Sequence, residues 1–467
     1  MLETSDMKHG RTIRRRRFLK QAASAVGAPY VVSSSALGIA GAVTPSNRIT
    51  VGLIGCGLHG AGWNLDQIFR NEDTQVVAVC DVDAARAAAA KAKVDKHYGE
   101  AGVKTYRGCD AMGDFRDLIM RKDIDVIANC TPDHWHVIPA IMAAKAGKDV
   151  ICEKPLTLTV TEGRTLCEVM KITGRIFQTA SENRSIDTYI QMCELVRNGR
   201  IGKVQHIEVR LPVGNTSRGE NFTQREMAPV PAGFNYEMWQ GQAPAAPYIP
   251  ARIFGSFRWN LAYSGGVLTD WGAHLIDLAQ WALDMETSGP TEVEGKGDFP
   301  PRDAVFNTTP TFDIDYKYAS GVTMKVSSTG PGIRFEGTEG WIGFDGWRTP
   351  LEASSTSILK SRIGADEVRL YRPNDVVPRE AGRGGEHRNF IDCVKSRRPC
   401  YAPAETGHRT STISHLGNIA MLLGRKVRWD PAKERFVNDA EADGMLSRTQ
   451  REPWTIANID GWIRERS

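Results

Sequence analysis

Gly55-Cys56-Gly57-Leu58-His59-Gly60 follows the apolar run ITVGLIG (49–55) and precedes a stretch, from Gly60 to about Asn71, that reads as a helix. A G-x-G-x-x-G by itself is a weak signal, and a glycine-rich turn in another α/β protein is its plain reading. Between a strand and a helix it has a mechanical sense. The first glycine permits a tight turn, the second lets the backbone approach a pyrophosphate, and the third lets helix and strand pack closely. Free N–H groups at the helix start then face the phosphate charge. Asp81 ends the next apolar run, QVVAVCD (75–81), 21 residues past Gly60. A carboxylate there accepts hydrogen bonds from both ribose hydroxyls and repels a 2′-phosphate, which favours NAD. Nearby Arg86 keeps NADP as the second candidate.

The pattern continues as strand, helix, strand. An alanine-rich helix is predicted over 84–97, strands in DVIANCT (125–131) and DVICEKP (149–155), and a helix near 137–147. Continuous β-branched runs separated by helices predict a parallel, doubly wound sheet. After about residue 175 the spacing changes. QHIEVRL (205–211), TEVEGKG (291–297), TFDIDYKY (311–318), VTMKVSS (322–328) and EVRLY (367–371) follow with few helices between them. Several alternate polar and apolar residues, so a second, α+β domain with an open, mainly antiparallel mixed sheet is expected. The expected layout is a leader over 1–42, a nucleotide-binding domain over 46–175, a substrate and oligomerisation domain over 176–424, and a C-terminal extension over 425–467. Residues 212–262, rich in Pro, Gly and aromatics, read as a long ordered loop, and such loops are more often functional than idle.

The leader carries the positive charge. Arg14-Arg15-Arg16-Arg17-Phe18-Leu19-Lys20 opens it, an interrupted apolar stretch follows, and Ala40-Gly41-Ala42 closes it with a small-x-small pattern. This arrangement resembles a twin-arginine (Tat) export signal with Arg15-Arg16 as the pair, and predicts a periplasmic or otherwise exported protein. A basic arm for nucleic acid is the competing reading. A membrane span needs about 20 mostly apolar residues, and this stretch is too broken. The whole chain has formal charge +4, with 59 Lys and Arg against 55 Asp and Glu. Residues 1–42 hold seven basic and two acidic groups, so the remainder is close to neutral. No charge argument for nucleic acid survives, nor for a membrane once the leader is removed. The nine cysteines form no C-x-x-C pair and fit no zinc spacing, so no metal is expected, and they read as buried free thiols.

Cys152-Glu153-Lys154-Pro155, placed after Thr131-Pro132-Asp133-His134-Trp135-His136, is the decisive stretch. With the glycine loop, and with Asp270-Trp271-Gly272-Ala273-His274 later in the chain, it resembles the glucose–fructose oxidoreductase / inositol dehydrogenase / rhizopine-catabolism (Gfo/Idh/MocA) family. The resemblance runs from about Asn47 to the last helix before residue 424. It implies catalytic roles for Lys154, His274 and Asp270. It implies cofactor contacts from Gly55, Gly57, Leu58, His59, Gly60, Asp81, Thr131, Pro132, His136, Glu153, Lys154 and Asn183. Substrate contacts are expected from Arg184, Arg258, Tyr263, Asp270, Trp271 and His274.

Spacing agrees with part of this. Asp270 and His274 are four apart and share a helix face, with Asp277 on the same stripe. An ammonium at Lys154 polarises a substrate oxygen, and an imidazole at His274 exchanges a proton near neutral pH. The family implies a sugar, polyol or glycoside substrate oxidised at a secondary hydroxyl and a homodimer or homotetramer, while export, away from any free nicotinamide pool, predicts tightly held NAD. Some Tat-bearing relatives instead cleave glycosides through transient oxidation and elimination, for which Tyr263 or Tyr236 is the expected base. A non-catalytic sugar- or nucleotide-binding protein is the third reading.

Overall fold

A computed structural model describes residues 48–103, 106–217, 221–371 and 385–467. The expected leader over 1–42 lies outside them. Residues 49–467 form one compact unit.

Six parallel strands make the first sheet, in the order β3-β2-β1-β4-β5-β6. β1 (Ile49–Ile54) feeds a π-helical turn over Leu58–Asn64 that runs into α1 (Leu65–Phe69). β2 (Thr74–Cys80), α2 (Ala84–Glu100), β3 (Asp110–Met112) and α3 (Phe115–Ile119) build one wing. β4 (Val126–Asn129), α4 (Val137–Lys145), β5 (Asp149–Cys152), α5 (Val160–Thr173) and β6 (Phe177–Thr179) build the other. The sixth strand lies just past residue 175, so the sheet continues four residues beyond the expected boundary. Local chemistry sets the helix ends. Asp83 accepts hydrogen bonds from the N–H groups of Ala85 and Arg86, and Thr159 and Glu162 form a reciprocal capping box. Gly174, in the left-handed conformation, ends α5. Register aligns Ile54 with Cys80 and Asn129, and Asn129 with Cys152. The glycine loop, Asp81, Thr131 and Glu153 therefore emerge at one edge of the sheet, outside the carboxyl ends of its strands, where such folds bind ligands.

The second sheet has nine strands, interleaved with helices. α6 (Asp187–Arg197) leads to β7 (Val204–Arg210), and α7 (Tyr236–Gln240) lies in the long connection. α8 (Val267–Asp270) and α9 (Gly272–Ala282) follow. The next strands are β8 (Glu292–Gly297), β9 (Phe312–Lys317), β10 (Thr323–Ser327), β11 (Gly332–Gly337), β12 (Gly340–Asp345) and β13 (Glu352–Ala353). α10 (Gly385–Ser396), α11 (Ala404–Leu423), β14 (Val427–Asp430), β15 (Arg435–Phe436) and α12 (Ile459–Arg466) complete the chain. The order is β13-β12-β11-β7-β10-β9-β8-β14-β15, antiparallel except for β7 beside β10. One face carries the core, with Ile207, Ile314, Met324 and Phe335 packed under the fully buried α9. On β9 the alternate residues Asp313, Asp315 and Lys317 are exposed.

EVRLY forms no strand. The N–H groups of Val368 and Leu370 are taken instead by the side chains of Asn198 and Glu194. Past residue 425, β14 joins the second sheet, whereas Trp454 and Trp462 pack with Phe115 and Trp135 against the first. Among the described residues no helix is long and apolar enough to cross a membrane, and no cluster of potential metal ligands occurs.

Candidate active site

A cleft of about 430 Å³ opens along the carboxyl edge of the parallel sheet. Gly55, Gly57, Leu58, His59, Gly60, Asp81, Thr131, Pro132, His136, Glu153, Lys154 and Arg258 all line it. The glycines divide by role. A Cβ on Gly60 would collide with the Gly55 carbonyl oxygen, and one on Gly55 with the backbone of Cys130. A Cβ on Gly57 would meet no protein atom within 4 Å. Gly55 and Gly60 are thus required by packing, while Gly57 borders open space, as a cradle for pyrophosphate demands. Asp81 is held in place: Oδ2 accepts from the Cys56 N–H at 2.7 Å and Oδ1 from the Asp83 N–H at 2.9 Å. Burial raises its pKa from the ordinary value. The residues present fit a dinucleotide, with the glycine loop for the pyrophosphate and Asp81 for a ribose.

Glu153 anchors the middle of the cleft. Its Oε1 lies 3.0 Å from His59 Nε2 and accepts from Asn64 Nδ2 at 2.9 Å. Burial opposes its charge, but His59, Lys154 and Asn64 outweigh it and hold its pKa below the ordinary value. Glu153 in turn raises the pKa of His59, against partial desolvation of that half-exposed ring. Asn64 Oδ1 lies 2.9 Å from Nε2 of His387 on α10, which extends the buried network away from the cleft. His387, with Glu386 on its Nδ1, therefore braces this wall from behind. The His136 ring nitrogens lie 2.7 Å from the Pro155 carbonyl oxygen and 2.8 Å from that of Thr131. His136 lines the cleft yet spends its polar atoms joining the ends of two strands.

At the inner end, Lys154 Nζ lies 2.9 Å from Asp270 Oδ1, which also accepts from Arg258 Nε at 3.1 Å. Asp270 closes α8, and His274 lies in the first turn of α9 after a break at Trp271. His274 is buried, with no hydrogen-bond partner for Nδ1. Burial first, and then the nearby Lys154 cation, push its pKa well below the usual imidazole value. At neutral pH it is an uncharged ring with a free lone pair beside an ammonium and a carboxylate. That set can stabilise an alkoxide and take up its proton.

Of the three residues expected to be catalytic, Lys154 lines the cleft, while Asp270, bonded to it, and His274 lie behind the wall; several expected neighbours stand elsewhere. Arg184 is fully buried, and its guanidinium binds both oxygens of Asp277, Glu286 and the Tyr401 carbonyl. It is a structural cation with no donor facing the cleft. Both oxygens of Asp277 are thereby taken by protein. Asn183 does not line the cleft: its amide donates to the His274 carbonyl at 3.4 Å. Tyr263 is buried against Trp239 and His134, and Trp271 packs on Trp347. Neither lines the cleft. Tyr236, the other tyrosine weighed as a base, is also outside its wall, with its hydroxyl on the Pro247 carbonyl. Sequence reasoning missed Trp347, 5.3 Å from the His274 ring, and Phe254 in the cleft wall. Neither stands in a motif. Of the aromatic loop residues, Phe257 and Trp239 do reach the cleft.

Two family models match the chain. One describes an oxidoreductase family with an NAD-binding Rossmann fold and matches residues 49–181. The other describes the C-terminal alpha/beta domain of the same oxidoreductase family and matches residues 191–349 and 375–456. Inositol 2-dehydrogenase of Salmonella typhimurium is 33% identical over 160 residues, 33% of this chain and 43% of that protein. D-glucoside 3-dehydrogenase of Escherichia coli is 29% identical over 160 residues, 34% of this chain and 42% of that protein. A glycosyl hydrolase family 109 protein of Shewanella sp. is 29% identical over 180 residues, 38% of each chain. The matched stretches thus span less than half the length of these curated relatives. Levoglucosan dehydrogenase, solved with NADH and L-sorbose, shares the fold with a TM-score of 0.59 at 19% identity, covering 82% of this chain and 99% of that one. The chain belongs to the Gfo/Idh/MocA oxidoreductase family, whose N-terminal domain is an NAD-binding Rossmann fold.

Proposed function

We propose that the protein is an exported NAD-dependent oxidoreductase that oxidises a secondary hydroxyl of a sugar, polyol or glycoside, C3 of a glycoside being the favoured case. The observation that carries this reading is the Lys154–Asp270 ion pair, whose lysine lines the nucleotide cleft, with the uncharged, buried His274 near it behind the cleft wall. Bound NAD supplies the acceptor for the hydrogen leaving the carbinol carbon. Lys154 holds the hydroxyl oxygen and stabilises negative charge as it develops. His274 takes the hydroxyl proton, becoming an imidazolium beside Asp270. Asp270 fixes Lys154 and Arg258 and accepts a neighbouring sugar hydroxyl. Similarity to dehydrogenases named for inositol and D-glucosides supports a polyhydroxylated ring as substrate.

Asp81 favours NAD over NADP, since its carboxylate would repel a 2′-phosphate. Export rests on the Arg15-Arg16 leader. Outside the cytoplasm there is no free nicotinamide pool, so the nucleotide stays bound and is reoxidised in place. A second carbonyl sugar, reduced to its alcohol, balances the oxidation of the first. The open face of the second sheet is the proposed surface for a homodimer or homotetramer.

A second reading, redox-assisted glycoside cleavage, is favoured by similarity to the glycosyl hydrolase family 109 protein. A panel of sugars and glycosides, read by nucleotide redox state and by product mass, separates the two. Oxidation gives a ketone two mass units lighter than the substrate, by loss of two hydrogens. Cleavage gives free aglycone, no net NAD reduction and solvent deuterium at C2.

A further inference from the structure

We propose that residues 233–257 form a clasp over the adenosine end of the nucleotide cleft, closed by Phe254 against Arg86, which retains the dinucleotide through turnover. This rests on the oxidoreductase reading above and names the part of the chain responsible for keeping its nucleotide.

The clasp is fastened by backbone. Ala84 N–H donates to the Gly233 carbonyl at 3.0 Å and Asn235 N–H to the Val82 carbonyl at 2.8 Å, pairing Asp83 with Phe234 as in an antiparallel ladder. The turn it grips is the one that follows Asp81, and the Asp83 N–H is bound to the Asp81 carboxylate. The segment that closes the cleft is therefore tied to the residue assigned to the ribose. From there Phe234, Phe254 and Phe257 line the cleft together with Val82, Asp83 and Arg86, which belong to the turn and helix that follow β2. The Arg86 guanidinium carbon lies 3.9 Å from the centroid of the Phe254 ring, a cation–π contact across the opening.

Phe254 also has φ of +52°, in the left-handed region that a bulky side chain rarely adopts. Such a conformation persists where the surroundings over-determine it, and it clusters at ligand clamps. Behind it, Phe234, Tyr236, Trp239, Tyr248, Ile253, Phe257 and Tyr263 pack into an aromatic cluster of their own. The segment is thus a packed body bonded to the nucleotide domain. At 3.9 Å the guanidinium and the ring close on each other with no space between them, so a dinucleotide leaving by this end must break the contact.

The test uses protein purified without added nucleotide and passed rapidly over a sizing column. Nucleotide per chain is measured after denaturation, and its release rate is followed by exchange against labelled NAD. Wild type should carry stoichiometric nucleotide. Phe254→Gly and Arg86→Ala should each release it about tenfold faster or more. Phe254→Gly removes the ring and relieves the unfavourable φ together, so a thermal midpoint measured alongside separates a lost clasp from a lost fold. Release at the wild-type rate from both variants would overturn the proposal, leaving the oxidoreductase reading intact. Wild type that carries no nucleotide yet oxidises sugars when NAD is added would overturn it as well. Retention by wild type and loss by both variants, with no sugar oxidised, would uphold the clasp and defeat the functional reading.

Discussion

Lys154 Nζ and Asp270 Oδ1 lie 2.9 Å apart, joining the end of the fifth parallel strand to the helix that precedes His274. Both groups are nearly buried, so the pair is held in a low-dielectric wall and serves orientation more than stability. Replacing Lys154 with Ala should lower kcat by roughly 10²–10³, the usual cost of removing one charge-stabilising donor. Lys154→Arg should restore little, because a planar fork cannot reproduce a point charge at one oxygen. Steady-state kinetics with a substrate found in the sugar panel checks both.

His274 sets the expected pH profile. Its pKa is depressed, so the ring is the uncharged base above its own pKa and becomes protonated only below the ordinary imidazole value of 6.5. The acid limb of the sugar-oxidation rate should therefore fall below pH 6.5. His274→Asn should cost about 10²–10⁴ in kcat and remove that limb. A profile of kcat against pH for both proteins decides this, and a wild-type midpoint at or above 6.5 would count against His274 as the base.

The glycine loop offers a separation of fold from binding. Gly57→Ala introduces a methyl group into space that no protein atom occupies, with φ of −68°, so the thermal midpoint should stay within about 2–4 °C of wild type. Nucleotide affinity should drop about tenfold or more. Gly60→Ala places its Cβ against the Gly55 carbonyl oxygen and should destabilise the fold by about 1–3 kcal/mol. Thermal denaturation and nucleotide titration on both variants test the contrast.

Arg184 provides a stability prediction. Its removal would leave Asp277 and part of Glu286 without their cation in a fully buried setting. Arg184→Ala should cost about 3–5 kcal/mol, read from the urea midpoint, with Lys a poor substitute for a bidentate guanidinium.

Much of the nucleotide half was legible because its signals are local. β-branched runs mark buried parallel strands, and the glycines and Asp81 occupy fixed offsets from them. The second half was legible only where alternation was strong, as in FDIDYK of β9. The hairpin of β11 and β12 escaped because Gly332, Gly337, Gly340 and Gly343 dilute its β-propensity. EVRLY misled for the opposite reason, since its backbone groups bond to side chains of an adjacent helix. At the site, Lys154, Asp270 and His274 were readable from motifs. The contact between Asn64 and His387 was not, for the two are 323 residues apart and meet only through the fold. Arg184, expected to meet substrate, spends its guanidinium on Asp277 and Glu286, since a charge in the sequence does not reveal whether its partner is substrate or protein.

The most direct test mixes purified protein, with its nucleotide fully oxidised, with a panel of pyranosides and polyols in the absence of any second acceptor. Absorbance of reduced nicotinamide is recorded together with product mass. The account predicts a single turnover of reduction with at least one sugar, a keto-sugar product, and loss of both signals in Lys154→Ala. Wild-type turnover by Lys154→Ala, or no reduction with any sugar despite bound NAD, would contradict it.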